Sequence, residues 1–348
     1  MVDLKLIRNY VRKHTNYLNK KLEWLVSKLA IFYILYMLGG GTMGFDLYFA
    51  GSPNAYVEQQ MLERGVCRLY SQLNDRKLGQ QWLDHNKEQH NTKVFVDSGA
   101  FTAWTQGKQL DIDEYINYLN ANTNELTLFA SVDNIPGKFR RLATLKEKQQ
   151  SPILSWENYM YMRERVVDKD KLLPVFHIGE DFKHLNNMCN IILDGKHIPY
   201  IALGGTVGLN ATTKDNWYKQ CFKIIQDSKN PKVKVHAFGM TSTNILENFP
   251  FNSADSTSWL MTANNGNIIT RYGVVCVSNM GEGKPNHLSI LPDSAKVQIK
   301  EDLAKHNIEL GECIESYQMR WVANMHFMQD WADNYKYKGN NRYQKRLF

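Results

Sequence analysis

Short apolar runs that stop abruptly at a polar or glycine residue recur along the chain. Val94-Phe95-Val96 meets Asp97-Ser98-Gly99-Ala100-Phe101, Leu128-Phe129-Ala130 meets Ser131-Val132-Asp133, and Val175-Phe176 meets His177. Ile201-Ala202-Leu203 meets Gly204-Gly205, Val233-Lys234-Val235 meets His236, and Asn252-Ser253-Ala254 meets Asp255. Runs this short, rich in β-branched and aromatic residues, predict strands. They fall near 45–50, 93–97, 127–132, 172–177, 199–203, 233–238 and 251–255, with an eighth around 268–277. Helix-period segments separate them: Asp111-Ile112-Asp113-Glu114 opens one with acids in its first turn, and residues 294–333 read as further helix. Alternation of strand and helix calls for a parallel sheet. The expected fold is α/β, a single (β/α)8 TIM-type barrel with extra C-terminal helices and a basic tail, in which every strand tip opens on the same mouth.

Length adds little, because 348 residues suit one large barrel as well as two domains of about 150 residues each. No internal break favours two, and 43% hydrophobic residues suffice for one core. The expected organisation is an N-terminal extension (1–42), a barrel (43–333) and a tail (334–348). Charge changes the picture more. The net charge is +7, yet residues 1–42 hold seven Lys/Arg against two acids and residues 334–348 hold five Lys/Arg and no acid, which leaves the body at −3. In the tail, Tyr335, Tyr337 and Tyr343 interleave with Lys336, Lys338, Arg342, Lys345 and Arg346. That mixture neutralises phosphates while stacking bases, so these five cations are the expected nucleic-acid contacts.

Five scattered cysteines, Cys67, Cys189, Cys221, Cys276 and Cys313, form no C-x-C or C-x-x-C pair. This usage fits a reducing compartment and predicts a cytoplasmic location, the host cytoplasm for a phage-encoded protein. Cys276, His287, Cys313 and His326 are too loosely spaced to predict a zinc site, and no metal or cofactor is expected. The apolar run Leu29–Leu38 follows a basic stretch but is too short to span a bilayer, so no membrane partner is expected. It resembles a signal-peptide core without a small-x-small cleavage site. Gly39-Gly40-Gly41 ahead of Met43 also reads like a purine-rich ribosome-binding sequence, which raises the expectation of a translation start at Met43.

Asp97-Ser98-Gly99-Ala100-Phe101, then Asp133, then Leu203-Gly204-Gly205-Thr206-Val207-Gly208, then the strand-end Asp255 stand in an order that resembles the tRNA-guanine transglycosylases over roughly residues 45–260. The likeness is nearest to the phage and bacterial enzymes that place 7-deazaguanines in DNA, the DpdA type. It implies base exchange through a double displacement, with Asp255 as the nucleophile that attacks C1′ and Asp97 as the acid that moves a proton on and off the base nitrogen. A carboxylate suits both roles, since an oxocarbenium-like centre needs a nucleophile of opposite charge and the leaving base needs a proton. Read alone, Asp97 is equally a turn residue after a strand and Asp255 a helix cap.

The same resemblance assigns substrate binding to the other tips. Asp133 would accept hydrogen bonds from the N1–H and exocyclic amine of a guanine-like base, Phe101 would stack on its ring where the small Gly99 and Ala100 let backbone approach, and Ser98 is a further expected contact. Gly204 and Gly205 let backbone amides reach a flat heterocycle. The neighbouring Ser253, Ser256, Thr257 and Ser258 are expected to hydrogen-bond and orient the Asp255 carboxylate. His177 stands where the family has a glutamine, and the run His236-Ala237-Phe238-Gly239-Met240 is expected to form a pocket wall, with His236, Gly239 and Met240 as its substrate contacts. Residues 260–348 lack the C-x-C-x-x-C…H zinc element of the tRNA-directed members, which moves the expectation from tRNA to DNA, with a 7-deazaguanine such as preQ0 as the incoming base. Two alternatives remain open at this point. His177, His236, Asp97, Asp133 and Asp255 at one mouth could ligate a divalent ion in a metal-dependent hydrolase, or the barrel could bind nucleic acid without catalysis.

Overall fold

Residues 44–240 and 242–339 are described by the structure, a computed structural model. In chain order the strands are β1 (Asp46–Phe49), β2 (Cys67–Ser71), β3 (Val94–Asp97), β4 (Leu128–Ala130), β5 (Leu172–Leu173) and β6 (Val175–His177). They continue with β7 (Ile192–Leu193), β8 (Lys196–His197), β9 (Tyr200–Gly204), β10 (Lys234–Ala237), β11 (Ser253–Ser256), β12 (Asn267–Thr270) and β13 (Gly273–Cys276). Nine of them form one parallel sheet in the order β5-β4-β3-β2-β1-β11-β10-β9-β6, while β7-β8 and β12-β13 are separate antiparallel hairpins. The two edges of the large sheet, β5 and β6, flank a single residue, Pro174, which has no N–H to give to a ladder. Its carbonyl still accepts from the Ala202 amide at 2.9 Å, and the Leu173 carbonyl accepts from Ser131 at 3.0 Å. The sheet therefore curls into a nearly closed, barrel-like form.

Period-two alternation sorts the side chains. Tyr48, Leu69, Phe95, Leu128, Ala130, Val175 and Ala202 pack together inside the sheet. Their neighbours of opposite parity, among them Phe49, Val96, Phe129, Phe176, Leu203 and Ala254, join the larger apolar layer under the helices. The same parity that turns Phe95 inward turns Asp97 inward two residues later, at the strand tip.

Two expectations about strands need correction. Cys67–Ser71 was not anticipated because Arg68 breaks its apolar pattern; the guanidinium is buried, paired with Glu58 at 2.8 Å and bonded to the Phe49 and Leu69 carbonyls at 2.5 and 2.9 Å. Conversely, the β-branched run at 268–277 lies outside the large sheet as the β12-β13 hairpin, closed by an Arg271-Tyr272 turn and packed on the helix Tyr317–Asp333. The helix predicted behind Asp111 spans Ile112–Ala121, with the Asp111 carboxylate accepting from the Glu114 amide. The C-terminal segment forms Asp293–Ala304, Leu310–Glu315 and Tyr317–Asp333.

Residues from Gly44 onward form one unit, and the beginning of the expected tail is part of it. Tyr335 is buried, stacks on Phe45 with ring centroids 4.4 Å apart, and donates its hydroxyl proton to the Leu246 carbonyl. Lys338 pairs with Glu247 at 2.5 Å. These contacts sit at the start of β1, the opposite end of the sheet from the strand tips. Arg342, Tyr343, Lys345 and Arg346 lie outside the described residues, as do the run 29–38 and Met43. No helix among the described residues is long and apolar enough to cross a membrane.

Candidate active site

Strand register brings the predicted acids together. Ser71 on β2 lies beside Asp97 on β3, His177 on β6 beside Gly204 on β9, and Tyr48 on β1 beside Asp255 on β11. Asp97 accepts from the Gly99 amide at 3.0 Å, which closes an Asx-type turn at the tip. Gly99 sits at φ +80°, and a Cβ there would come within 2.6 Å of the Leu73 Cβ, so the turn admits no other residue without distortion. Burial pushes the Asp97 carboxyl up, the Gly99 amide opposes it, and the charges of Asp133 and Asp255 push further, to about 6. Three carboxyl groups thus lie within electrostatic reach of one another at a single mouth.

Asp255 is buried and firmly oriented. Its Oδ1 accepts from the Gly239 amide at 2.8 Å and lies 3.3 Å from His236 Nε2. His236 and Ser253 are register partners across β10 and β11, and His236 Nδ1 meets Ser253 Oγ at 2.6 Å, which in turn meets the Tyr200 hydroxyl at 2.7 Å. A chain of four polar groups therefore runs from the barrel interior to the carboxylate. The serines near Asp255 act otherwise than expected: Ser253 holds His236, and Ser256 bonds Ser258 at 2.9 Å.

On the other side of the mouth His177 bridges two acids, Asp133 through Nε2 at 3.3 Å and Glu180 through Nδ1 at 3.2 Å. Burial alone would lower its pKa, but the charges and hydrogen bonds of Asp133 and Glu180 outweigh burial and raise it to about 10, so the ring is an imidazolium at neutral pH. Gly204 makes room for this ring, since a Cβ there would stand 3.1 Å from His177 Cδ2. Three oxygens around the tips are buried and have no hydrogen-bond partner: Asp133 Oδ1, Glu180 Oε2 and Ser71 Oγ. Buried acceptors left open are costly unless something completes them.

The remaining predicted residues divide. Phe101 is 65% exposed in the first turn after Asp97, where its face is available. Ser98 is buried and accepts from the Ala100 amide at 3.3 Å, a turn role. Gly205 and Gly239 hold φ of +79° and +60° at the ends of β9 and β10. Within the expected wall His236–Met240, Met240 is 1% exposed in the outer apolar layer, whereas Phe238 packs edge-on against His236 at 4.6 Å with its parity facing inward. Tyr200 and Glu180 were missed: Tyr200 carries no polar-tip signal, and Glu180 lies three residues past its strand. Both His236 nitrogens are engaged, and no group of three His, Cys, Asp or Glu among the described residues is arranged for a metal ion.

No family model and no curated protein matches this chain. The functional reading rests on the residues at the strand tips.

Proposed function

We propose that the protein exchanges guanine in DNA for a 7-deazaguanine base such as preQ0, on a (β/α)8 barrel in which Leu172–His177 counts as one strand interrupted at Pro174. The observation that carries the reading is the pair of unlike carboxyl groups at one mouth. Asp255 is held by an amide and an imidazole, whereas Asp97 is pushed up to about 6 by burial and by the charges of Asp133 and Asp255. Neighbouring acids whose environments separate them are suited to opposite roles, one nucleophile and one proton carrier.

In the first half, an Asp255 oxygen bonds to C1′ while the C1′–N9 bond breaks, and the Asp97 proton passes to the departing guanine. In the second half, Asp97 takes the proton from N9 of the incoming base. That nitrogen then bonds to C1′ and the Asp255 ester bond breaks, restoring both carboxyl groups. The N1–H and exocyclic amine of either base call for buried acceptors, and Asp133 Oδ1 and Glu180 Oε2 are the open carboxylate oxygens flanking His177. Because C1′ is inaccessible in a stacked duplex, the target nucleotide enters the mouth flipped out or from a single strand.

The test is incubation with DNA and preQ0 followed by nucleoside mass spectrometry of the digested DNA. Wild-type protein is expected to give a deazaguanine deoxynucleoside, and Asp255→Ala none, a loss on the order of 10⁴-fold. An active Asp255→Ala protein overturns the assignment. Modification of tRNA in place of DNA in a parallel incubation would transfer the same chemistry to the other polymer.

A further inference from the structure

The loop between Asp133 and the helix Leu145–Arg165 carries a feature that base exchange alone does not use. Within residues 138–148 stand Lys138, Arg140, Arg141, Lys146 and Lys148 against one acid, Glu147. Arg141 pairs with Glu147, but Lys138, Arg140, Lys146 and Lys148 have no carboxylate partner among the described residues. All four are exposed, in a body whose net charge is otherwise negative. Exposed positive charge concentrated in one loop attracts a polyanion.

Aromatic rings join this loop to the catalytic turn. Phe101, four residues after Asp97, lies 5.9 Å from Trp104, and Trp104 meets Phe139 edge-on at 5.4 Å. The Trp104 indole N–H donates to the Gly137 carbonyl at 3.0 Å, which pins the loop to the helix Ala100–Thr105. Arg140 lies over the Phe139 ring at 5.3 Å and holds φ at +62°, a conformation that costs a non-glycine residue about 1 kcal/mol or more. Phe101 and Phe139 are exposed at 65% and 44%. Exposed rings alternating with unpaired cations are the surface that a single strand recognises, with bases stacking on the rings and phosphates meeting the cations.

We infer that residues 137–148, with Phe101 and Trp104, form the track on which a DNA strand is held while its target nucleotide enters the mouth. The inference rests on the base-exchange reading for its choice of DNA. Of the tail, Tyr335 is taken up by packing and Lys338 pairs with Glu247 at the far end of the strands, so neither is part of this track.

The experiment is fluorescence anisotropy of a labelled, guanine-containing single-stranded DNA oligonucleotide across a salt series. It compares full-length wild type, the triple variant Lys138→Ala/Arg140→Ala/Lys146→Ala, Phe139→Ala, and the tail variant Lys336→Ala/Lys338→Ala. The triple variant is expected to bind at least about tenfold more weakly and to lower the slope of log affinity against log salt by about 2, since each phosphate that is no longer neutralised removes about 0.7 from it. Phe139→Ala weakens binding without changing the slope, and the tail variant binds like wild type. Circular dichroism melts should be unchanged, because the substituted side chains are exposed. A triple variant that binds like wild type, a tail variant that loses as much, or a wild type that binds no DNA or prefers RNA of the same sequence overturns the proposal. Loop-dependent DNA binding by a protein that exchanges no base would uphold this track while removing the base-exchange reading.

Discussion

Two charged clusters among the described residues, one buried under β1 and β2 and one half-buried at the strand tips, are built on opposite terms. Under β1 and β2, Arg68 and Glu58 form a closed set: Glu58 accepts from Arg68 and from the Trp82 indole, each at 2.8 Å, and Arg68 spends its terminal nitrogens on Glu58 and the Phe49, Leu69 and Gly51 carbonyls, leaving only Nε unpartnered. At the strand tips, His177 bridges Asp133 and Glu180 while Asp97 adds like charge beside Asp133 and Asp255, and Asp133 Oδ1 and Glu180 Oε2 are left without a partner. The first arrangement satisfies its charges internally and holds two strands to a helix. The second concentrates like charge and open acceptors, which costs stability and is useful only when a ligand completes it.

Substitutions should therefore separate the clusters. The largest stability effect is expected from Arg68→Ala, which strands the buried Glu58 carboxylate; a loss of about 3–5 kcal/mol in urea unfolding is predicted, and a loss below about 1 kcal/mol would equate this pair with a surface ion pair.

Asp97→Asn should act in the opposite direction on stability while slowing exchange by about a hundredfold or more. The native pKa of about 6 lies above the ordinary 3.8, so the fold prefers the protonated acid; the ionised form costs stability above about pH 6, and the cost disappears as the pH falls towards 3.8. Asn removes that cost. Thermal melts should show the variant more stable than wild type at pH 7, with the difference vanishing near pH 4. In single-turnover guanine release without an incoming base, the wild-type rate should fall as pH rises through about 6, and the variant should lack that limb.

His177→Gln probes the charge on the other side of the mouth. The native pKa of about 10 lies above the ordinary 6.5, so the imidazolium's attraction to Asp133 and Glu180 contributes fully below about 6.5 and fades as pH rises through about 10. The wild type's stability advantage over the variant should narrow between those values in melts recorded from pH 6.5 to 10.5. An advantage that stays constant would mean that the ring is held by packing and not by charge.

Much of the tip chemistry was legible because a strand's parity is a local property. Once Phe95 is inside, Asp97 must be inside as well, and the same holds along β11 for Ser253 and Asp255. What escaped reading depends on partners distant in sequence. Ser253 meets His236, and Tyr200 meets Ser253, only because three strands lie in one register, and Met240 differs from expectation because it lies beyond the alternation of β10, where the turn redirects it outward. Lys138, Arg140 and Lys146 resemble any solvated loop until Trp104 ties them to the turn that carries Asp97. Tyr335 shows the reverse: read by composition as a base-stacking ring, it packs instead on Phe45 at the start of β1.

The sequence by itself determined the alternation of strands and helices, the inward-facing tips, and the acids at positions 97, 133 and 255, because these follow from residue type and a period of two. Only the tertiary structure decided that Pro174 would split one extended segment between the two edges of the sheet, that Arg68 would be buried in a strand, and which of the acids would be oriented, paired or left open. Those outcomes turn on distances between residues far apart along the chain, and it is distance and exclusion of water that set the strength of a charge's interaction with its neighbours.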